Sequence, residues 1–148
     1  MSELQELYRE VILDHNRRPR NFGELEPADK VVDGFNPLCG DKLTLFIKLD
    51  GDRIDDIKFQ GSGCAISVAS SSLMTERVRG LDRAAALRLY DDVHAMLTGE
   101  SAEPPHHVGK LAALAGVRAF PSRVKCASLA WHALKAALSG EGDKVSTE

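Results

Sequence analysis

The chain has 148 residues, of which 43% are hydrophobic and 28% are charged, and its formal net charge is -3. This length predicts one domain whose core is large enough to need no disulfide bonds. The slightly acidic balance and the 5% of aromatic residues argue against nucleic acid as a partner. Phosphate binding needs a basic surface, and single strands need aromatic stacking platforms.

The N-terminal stretch and the cysteine count predict the compartment. The first residues read MSELQELYREVILDH, with acids where a signal peptide has a basic region. No run approaches the roughly 18 apolar residues of a membrane span. We therefore expect a cytoplasmic protein without membrane contact, in which thiols stay reduced. Three cysteines are an odd number and fit a disulfide framework badly.

The first half of the chain predicts one helix followed by strands. Apolar residues at helical spacing predict a helix that begins after Ser2 as N-cap and ends near His15. The loop NRRPRNFGELEPAD follows, and a short strand then ends at residues 36 and 37. Residues 43 to 49 alternate between apolar and other side chains, and residues 54 to 59 return after a turn, which predicts an antiparallel hairpin.

The second half predicts helices. One begins at Ala65 and is closed by Gly80, and a second is capped by Asp82 and runs to about residue 97. A loop at residues 100 to 109 and a short helix at 110 to 115 precede a last helix that begins at Pro121. We expect a single α+β domain over residues 1 to 140 and a flexible C-terminal tail over 141 to 148.

All three cysteines lie near boundaries between predicted elements, whereas core cysteines usually lie inside an apolar pattern. Cys39 is in a loop between strands, Cys64 precedes a helix, and Cys126 is in the first turn or two of the last helix. Helix N-termini favour anionic thiolates, which bind zinc and iron–sulfur clusters. Asp41 is the natural fourth ligand, and its carboxylate is a more replaceable one. The separations match no CxxC motif, so a metal site, reactive thiols and three unrelated buried cysteines all remain open.

Other candidate ligands and nucleophiles are weaker. His15 ends the first predicted helix, His132 lies on the last one, and His106 and His107 are in the polar loop. All four fit structural or solvated roles better than ligation. The serine run at residues 70 to 72 has no histidine or aspartate at a motif spacing that would activate it. Close packing of small residues between helices is the better interpretation of this run.

Four motifs resemble the IscU/SufU family of iron–sulfur cluster assembly proteins, which is similar to the N-terminal domain of NifU. They are LYREVILDHNRRPRNFG, NPLCGD, GSGCAISVASSSLMTE and VKCASLAWHAL, and the resemblance covers about residues 3 to 138. It implies four metal ligands: Cys39, Asp41, Cys64 and Cys126. It also implies a small, mainly antiparallel sheet of about three strands with helices packed on one face, and a metal site formed by loops at an exposed end.

Three departures from IscU-type scaffolds resemble the SufU branch. Lys125 stands where scaffolds have a histidine before the third cysteine, AFPSRVKC replaces their LPPVK segment for a chaperone, and residues 98 to 118 are extra length. This branch implies a zinc-dependent sulfur acceptor that takes persulfide sulfur from a SufS-type, PLP-dependent cysteine desulfurase and serves downstream Suf scaffold proteins. Such a protein is a sulfurtransferase-like accessory of the desulfurase, and whether it is itself an enzyme stays open.

The resemblance also implies roles for single residues. Cys39 is the expected sulfur acceptor, and Asp41 is expected to stay on zinc and tune ligand exchange. Arg123 and Lys125, which flank Cys126, are expected to favour thiolate or contact the partner, with solvated charge as the equal alternative. Two other functions stay open: a scaffold that builds an iron–sulfur cluster on the same ligands, and a zinc-stabilised activator of the desulfurase that accepts no sulfur.

Overall fold

The computed structural model of the protein describes residues 3–37, 40–98, 106–140 and 144–146. The predictions for Ser2, Cys39, Gly99 and residues 100 to 105 lie outside these ranges. The described elements are α1 (Glu3–Arg17), β1 (Lys30–Asn36), β2 (Asp41–Asp50), β3 (Arg53–Ser62), α2 (Ala65–Val78), α3 (Arg83–Thr98), a 3-10 segment (His106–Ala119), α4 (Pro121–Ser139) and β4 (Lys144–Ser146).

The sheet has the order β3-β2-β1-β4 and is mixed. β2 is antiparallel to β3, as the predicted hairpin requires, and it is also antiparallel to β1, while β4 runs parallel to β1. Residues 144 to 146 thus differ from the predicted flexible tail. A Cβ atom on Gly34 of β1 would lie 3.3 Å from Val145 Cγ2, so the glycine leaves room for this valine. Asp33 also lies opposite Lys144.

The helices cover one face of the sheet, as predicted. Along β2 the side chains of Leu43, Leu45 and Ile47 are buried, and α2 and α4 pack against this side of the sheet. Each such side chain contributes about 1.5–3 kcal/mol by leaving water. Phe35 and Val31 on the opposite face are exposed. Among the described helices, none has the length and apolar character that crossing a membrane requires.

Local signals fix most helix ends. The Asp82 carboxylate accepts a hydrogen bond from the Ala85 N–H at 2.7 Å and so caps α3. Pro121 is the first residue of α4, and Gly140 ends this helix in the left-handed conformation with φ 68°. The helix predicted at residues 110 to 115 instead belongs to the longer 3-10 segment, whose regularity Gly109 interrupts with φ 56°.

Candidate metal site

The hairpin between β1 and β2 carries the first part of the site. Asn36 and Asp41 face each other as its closing pair. The Gly40 N–H donates to the Asn36 carbonyl at 2.9 Å, and Gly40 has φ +72°, which glycine adopts without strain. Cys39 lies between Asn36 and Asp41 in the sequence and is outside the described residues.

Asp41 is a buried carboxylate whose two oxygens each accept a hydrogen bond. The Cys64 backbone N–H donates to Oδ1 at 2.9 Å, and the Asn36 side-chain amide donates to Oδ2 at 3.1 Å. Gly63 lies directly against this carboxylate, because a Cβ atom at position 63 would come within 2.9 Å of Asp41 Cγ. The carboxylate is therefore held between the start of β2 and the residues before α2.

Cys64 is the N-cap of α2. Its Sγ accepts a hydrogen bond from the Ser67 N–H at 3.4 Å, and its backbone is extended, with φ -68° and ψ 164°. The unpaired N–H groups and the dipole of a helix N-terminus favour negative charge at this position. A thiolate at position 64 is thus compatible with its half-buried surroundings.

Cys126 lies in the second turn of α4 and is buried. The helix dipole acts mainly within the first turn, so it contributes little at this sulfur. The nearby donor is the amide of Asn36, whose Nδ2 is 3.5 Å from Cys126 Sγ. The polar surroundings of Cys126 thus come partly from the strand β1 and not from its own helix.

Three potential ligand atoms come together where these elements meet. One carboxylate oxygen of Asp41 and the Sγ atoms of Cys64 and Cys126 all lie within 4.8 Å of one another. Two thiolates on one tetrahedral zinc ion are about 3.8 Å apart, given Zn–S bonds of about 2.3 Å. In the described part of the chain the Asp41 oxygens meet amide N–H groups, not a cationic side chain. A cation that binds the two thiolates would also balance this buried charge, so the residues fit zinc.

Of the described histidine side chains, His15 and His132 occupy structural positions apart from this cluster. His15 is buried, and its Nδ1 is 2.7 Å from Ser72 Oγ. Burial lowers the pKa of His15, and the Arg20 charge lowers it further. The Nδ1 atom of His132 is 3.1 Å from the Tyr90 hydroxyl. These two neutral, packed rings agree with the structural roles predicted for them.

Arg123 and Lys125 both precede Cys126 in α4, and they differ in exposure because Arg123 is exposed and Lys125 is half-buried. The Arg123 guanidinium lies 5.3 Å from the ring centroid of Phe120, an exposed side chain. Neither observation tests a contact with a partner, so the roles of both residues stay predictions.

Two residues of the candidate site were not singled out from the sequence. Asn36 donates to two of the predicted ligands, and Gly63 gives Asp41 its space. A signal for Asn36 exists: it follows Val32 and Gly34 at a two-residue spacing, so it must lie on the buried face of β1. A buried amide requires hydrogen-bond partners.

Comparison with known proteins identifies relatives of the chain. The model of the NifU-like N-terminal domain matches residues 7–140. The zinc-dependent sulfurtransferase SufU of Bacillus subtilis is 44% identical over 140 residues, which cover 95% of each chain. The iron–sulfur cluster assembly scaffold protein IscU of Streptococcus pyogenes is 44% identical over 93% of this chain and 86% of the relative.

A solved structure gives the same result. A protein of Fervidobacterium islandicum, described as a candidate iron–sulfur cluster assembly scaffold for the SUF system, superposes with a TM-score of 0.83 at 38% identity. The match covers 90% of this chain and 98% of that one. The chain therefore belongs to the IscU/SufU family of iron–sulfur cluster assembly proteins, whose common unit is the NifU-like N-terminal domain.

Proposed function

We propose that the protein is a cytoplasmic, zinc-dependent sulfur acceptor that takes persulfide sulfur from a SufS-type, PLP-dependent cysteine desulfurase for iron–sulfur cluster assembly. The observation that carries the proposal is the meeting of Asp41, Cys64 and Cys126 within 4.8 Å. Cys39 precedes Asp41 by two residues, so the chain keeps its Cα within about 7 Å of the Asp41 Cα. The relative named a zinc-dependent sulfurtransferase supports the choice of metal.

Zinc bound by Cys39, Asp41, Cys64 and Cys126 would hold the thiols as thiolates at neutral pH without redox chemistry. The burial of Cys126 and the capping contact of the Cys64 sulfur disfavour attack by either of them. Cys39, which lies between Asn36 and Asp41 in the sequence, is the proposed acceptor. Asp41, which is fixed by two hydrogen bonds, is proposed to stay in place while the cysteine exchanges.

The proposed transfer is thiol exchange. The Cys39 thiolate attacks the outer sulfur of the desulfurase persulfide, a new S–S bond forms on Cys39, and the S–S bond of the donor breaks. The desulfurase cysteine leaves as a thiolate, and the transferred sulfur keeps its hydrogen. The oxidation level of the pair is unchanged, so the step needs neither an oxidant nor a reductant. Downstream Suf scaffold proteins would then receive the sulfur.

The test measures alanine production by a SufS-type desulfurase with and without the zinc-loaded protein, together with mass spectrometry of its peptides. We expect a large rise in turnover and one added sulfur on the Cys39 peptide. Cys39→Ala and Cys39→Ser should remove both effects, and Asp41→Ala should lower zinc retention and stimulation. Ser139→Ala, at the far exposed end of α4, is the control. Full turnover with Cys39→Ala would show that Cys39 is not the sulfur acceptor.

Two other functions make different predictions in the same experiments. A zinc-stabilised activator would stimulate the desulfurase while Cys39 gains no sulfur. A scaffold would bind iron and sulfide anaerobically and develop the absorption of an iron–sulfur cluster on the same ligands. The 44% identity to a relative named as a scaffold makes the scaffold the second candidate. Lys125, in place of the scaffold histidine, favours the sulfur acceptor.

A further inference from the structure

The buried amide of Asn36 lies between two of the proposed metal ligands. Its Nδ2 atom is 3.1 Å from Asp41 Oδ2 and 3.5 Å from Cys126 Sγ. A side-chain amide nitrogen carries two N–H groups, so one can be directed at each ligand. The opposite orientation of the amide would place its oxygen against a carboxylate and a sulfur, which are both electron-rich. Chemistry therefore determines which end of Asn36 faces the site.

The position of Asn36 is rigid. It is the last residue of β1, it faces Asp41 across the sheet, and its carbonyl accepts the Gly40 N–H. Its side chain is fully buried. Because its backbone is already paired, this hydrogen-bond donor loses little further freedom when the metal binds. A donor fixed in this way can orient a metal-ligating side chain accurately.

The charges in the site explain why a neutral donor is needed there. The carboxylate of Asp41 and the thiolates of Cys64 and Cys126 bring like charges together within 4.8 Å. The positive end of the Asn36 amide dipole points at two of these groups. It offsets part of the repulsion among the deprotonated ligands when the metal binds, and it fixes the direction of the Asp41 and Cys126 lone pairs.

We infer that Asn36 is a positioning residue that holds Asp41 and Cys126 ready for the metal, and so makes them the anchored pair of the ligand set. The inference rests on the metal site proposed above, not on sulfur transfer. Asn36 does not ligate the metal. Exchange of ligands at the site would then involve the ligands that Asn36 does not hold, because Asp41 and Cys126 stay in position.

The test compares Asn36→Asp with Asn21→Asp, which makes the same change at the amide that donates to the Thr75 hydroxyl at 3.2 Å. Thr75 is eleven residues beyond Cys64, about 16 Å along α2. Asn21 has φ 57°, a conformation that aspartate also tolerates. Zinc affinity is measured by competition with a chelator, and the visible absorption of the cobalt-substituted protein reports the ligand geometry.

We expect Asn36→Asp to weaken zinc binding by about 10–100-fold, the range for residues that orient metal ligands, and to change the cobalt spectrum. Asn36→Ala should act in the same direction without added charge, and circular dichroism verifies that both variants fold. Asn21→Asp should leave affinity and spectrum unchanged.

A second readout uses the unaltered protein. The chain has three asparagines, at positions 16, 21 and 36. The side-chain amide signals of Asn36 should therefore be resolved by NMR and should shift on cadmium binding, whereas those of Asn21 should not. If the signals of Asn36 do not move, or if both Asn36 variants keep wild-type affinity and cobalt spectrum, the inference is overturned and the metal site stands. A wild-type protein that binds neither zinc nor cobalt overturns both.

Discussion

Gly63→Ala is expected to damage the metal site while the fold survives. A Cβ atom at position 63 would come within 2.9 Å of Asp41 Cγ and still closer to Oδ1. The backbone at Gly63 lies in a region that other residues adopt, so the substitution adds no backbone strain. The collision is with the side chain of Asp41, whose carboxylate can rotate away from the Cys64 N–H while its Cβ, 3.1 Å from the added Cβ, shifts slightly.

The expected loss of stability follows from this rotation. A hydrogen bond to a charged group contributes about 1.5–3 kcal/mol. Replacing glycine by alanine restores about 0.4–1 kcal/mol by restricting the unfolded chain. The net decrease in the unfolding free energy of the metal-free protein is therefore about 0.5–2.5 kcal/mol. Zinc affinity should also fall by about 10–100-fold, because Asp41 is no longer held toward Cys64 and Cys126.

Urea denaturation in the presence of a chelator measures the stability, and chelator competition measures the zinc affinity. Gly116→Ala is the matched control, since a Cβ atom there meets no atom within 4 Å; it should leave zinc affinity unchanged and stability equal or higher. Gly61→Ala should instead disrupt the fold, because its Cβ atom would collide with the backbone carbonyl of Lys42. If Gly63→Ala matches Gly116→Ala in both measurements, Asp41 is not held as described.

Three further predictions concern stability. His15 and His132 have pKa values lowered from 6.5, first by burial and then by nearby cationic groups. Below about pH 6.5 the unfolded chain therefore binds protons that the folded chain does not. The metal-free protein should lose stability as pH falls from that value, and His15→Gln should reduce the slope in urea titrations; an unchanged slope would contradict this account. Ser70→Ala removes the acceptor of the Trp131 indole N–H and should lower the unfolding free energy by about 1–3 kcal/mol. The fluorescence of Trp131, the single tryptophan, measures unfolding, and a loss below about 0.5 kcal/mol would argue against the contact. Zinc at 100 times its dissociation constant should raise the unfolding free energy by about 2.7 kcal/mol, and excess chelator should remove this increase in thermal denaturation; no change would refute specific binding to the folded chain.

Much of the fold could be predicted because local and tertiary preferences agree. The alternation along β2 predicts the buried face that is observed, from Leu43 to Ile47. Asp82 acts as the N-cap of α3, and Gly40 has the positive φ that the turn requires. The small residues of α2 serve helix packing as predicted: Ser70 donates to the Ala127 carbonyl of α4.

The elements that sequence reasoning missed depend on tertiary contacts or on a different period. β4 is three residues long and has no apolar alternation; it forms because the edge of β1 is free to pair and Gly34 leaves room for Val145. The 3-10 segment has a readable signal, since its large buried side chains recur every third residue, the period of a 3-10 helix. These side chains are Val108, Leu111, Leu114 and Val117.

The candidate metal site could be proposed from its residue types but its geometry could not be predicted, because the candidate ligands come from separate element boundaries. Asp41 begins β2, Cys64 caps α2, and Cys126 lies in the second turn of α4. No short motif can encode such a set, since only the packing of α4 against β1 brings Cys126 to Asn36. The same fact links metal binding to folding. The unfolded chain offers these residues far apart, so we expect zinc to stabilise the folded state alone, and any change that loosens α4 from β1 should weaken zinc binding without altering a ligand.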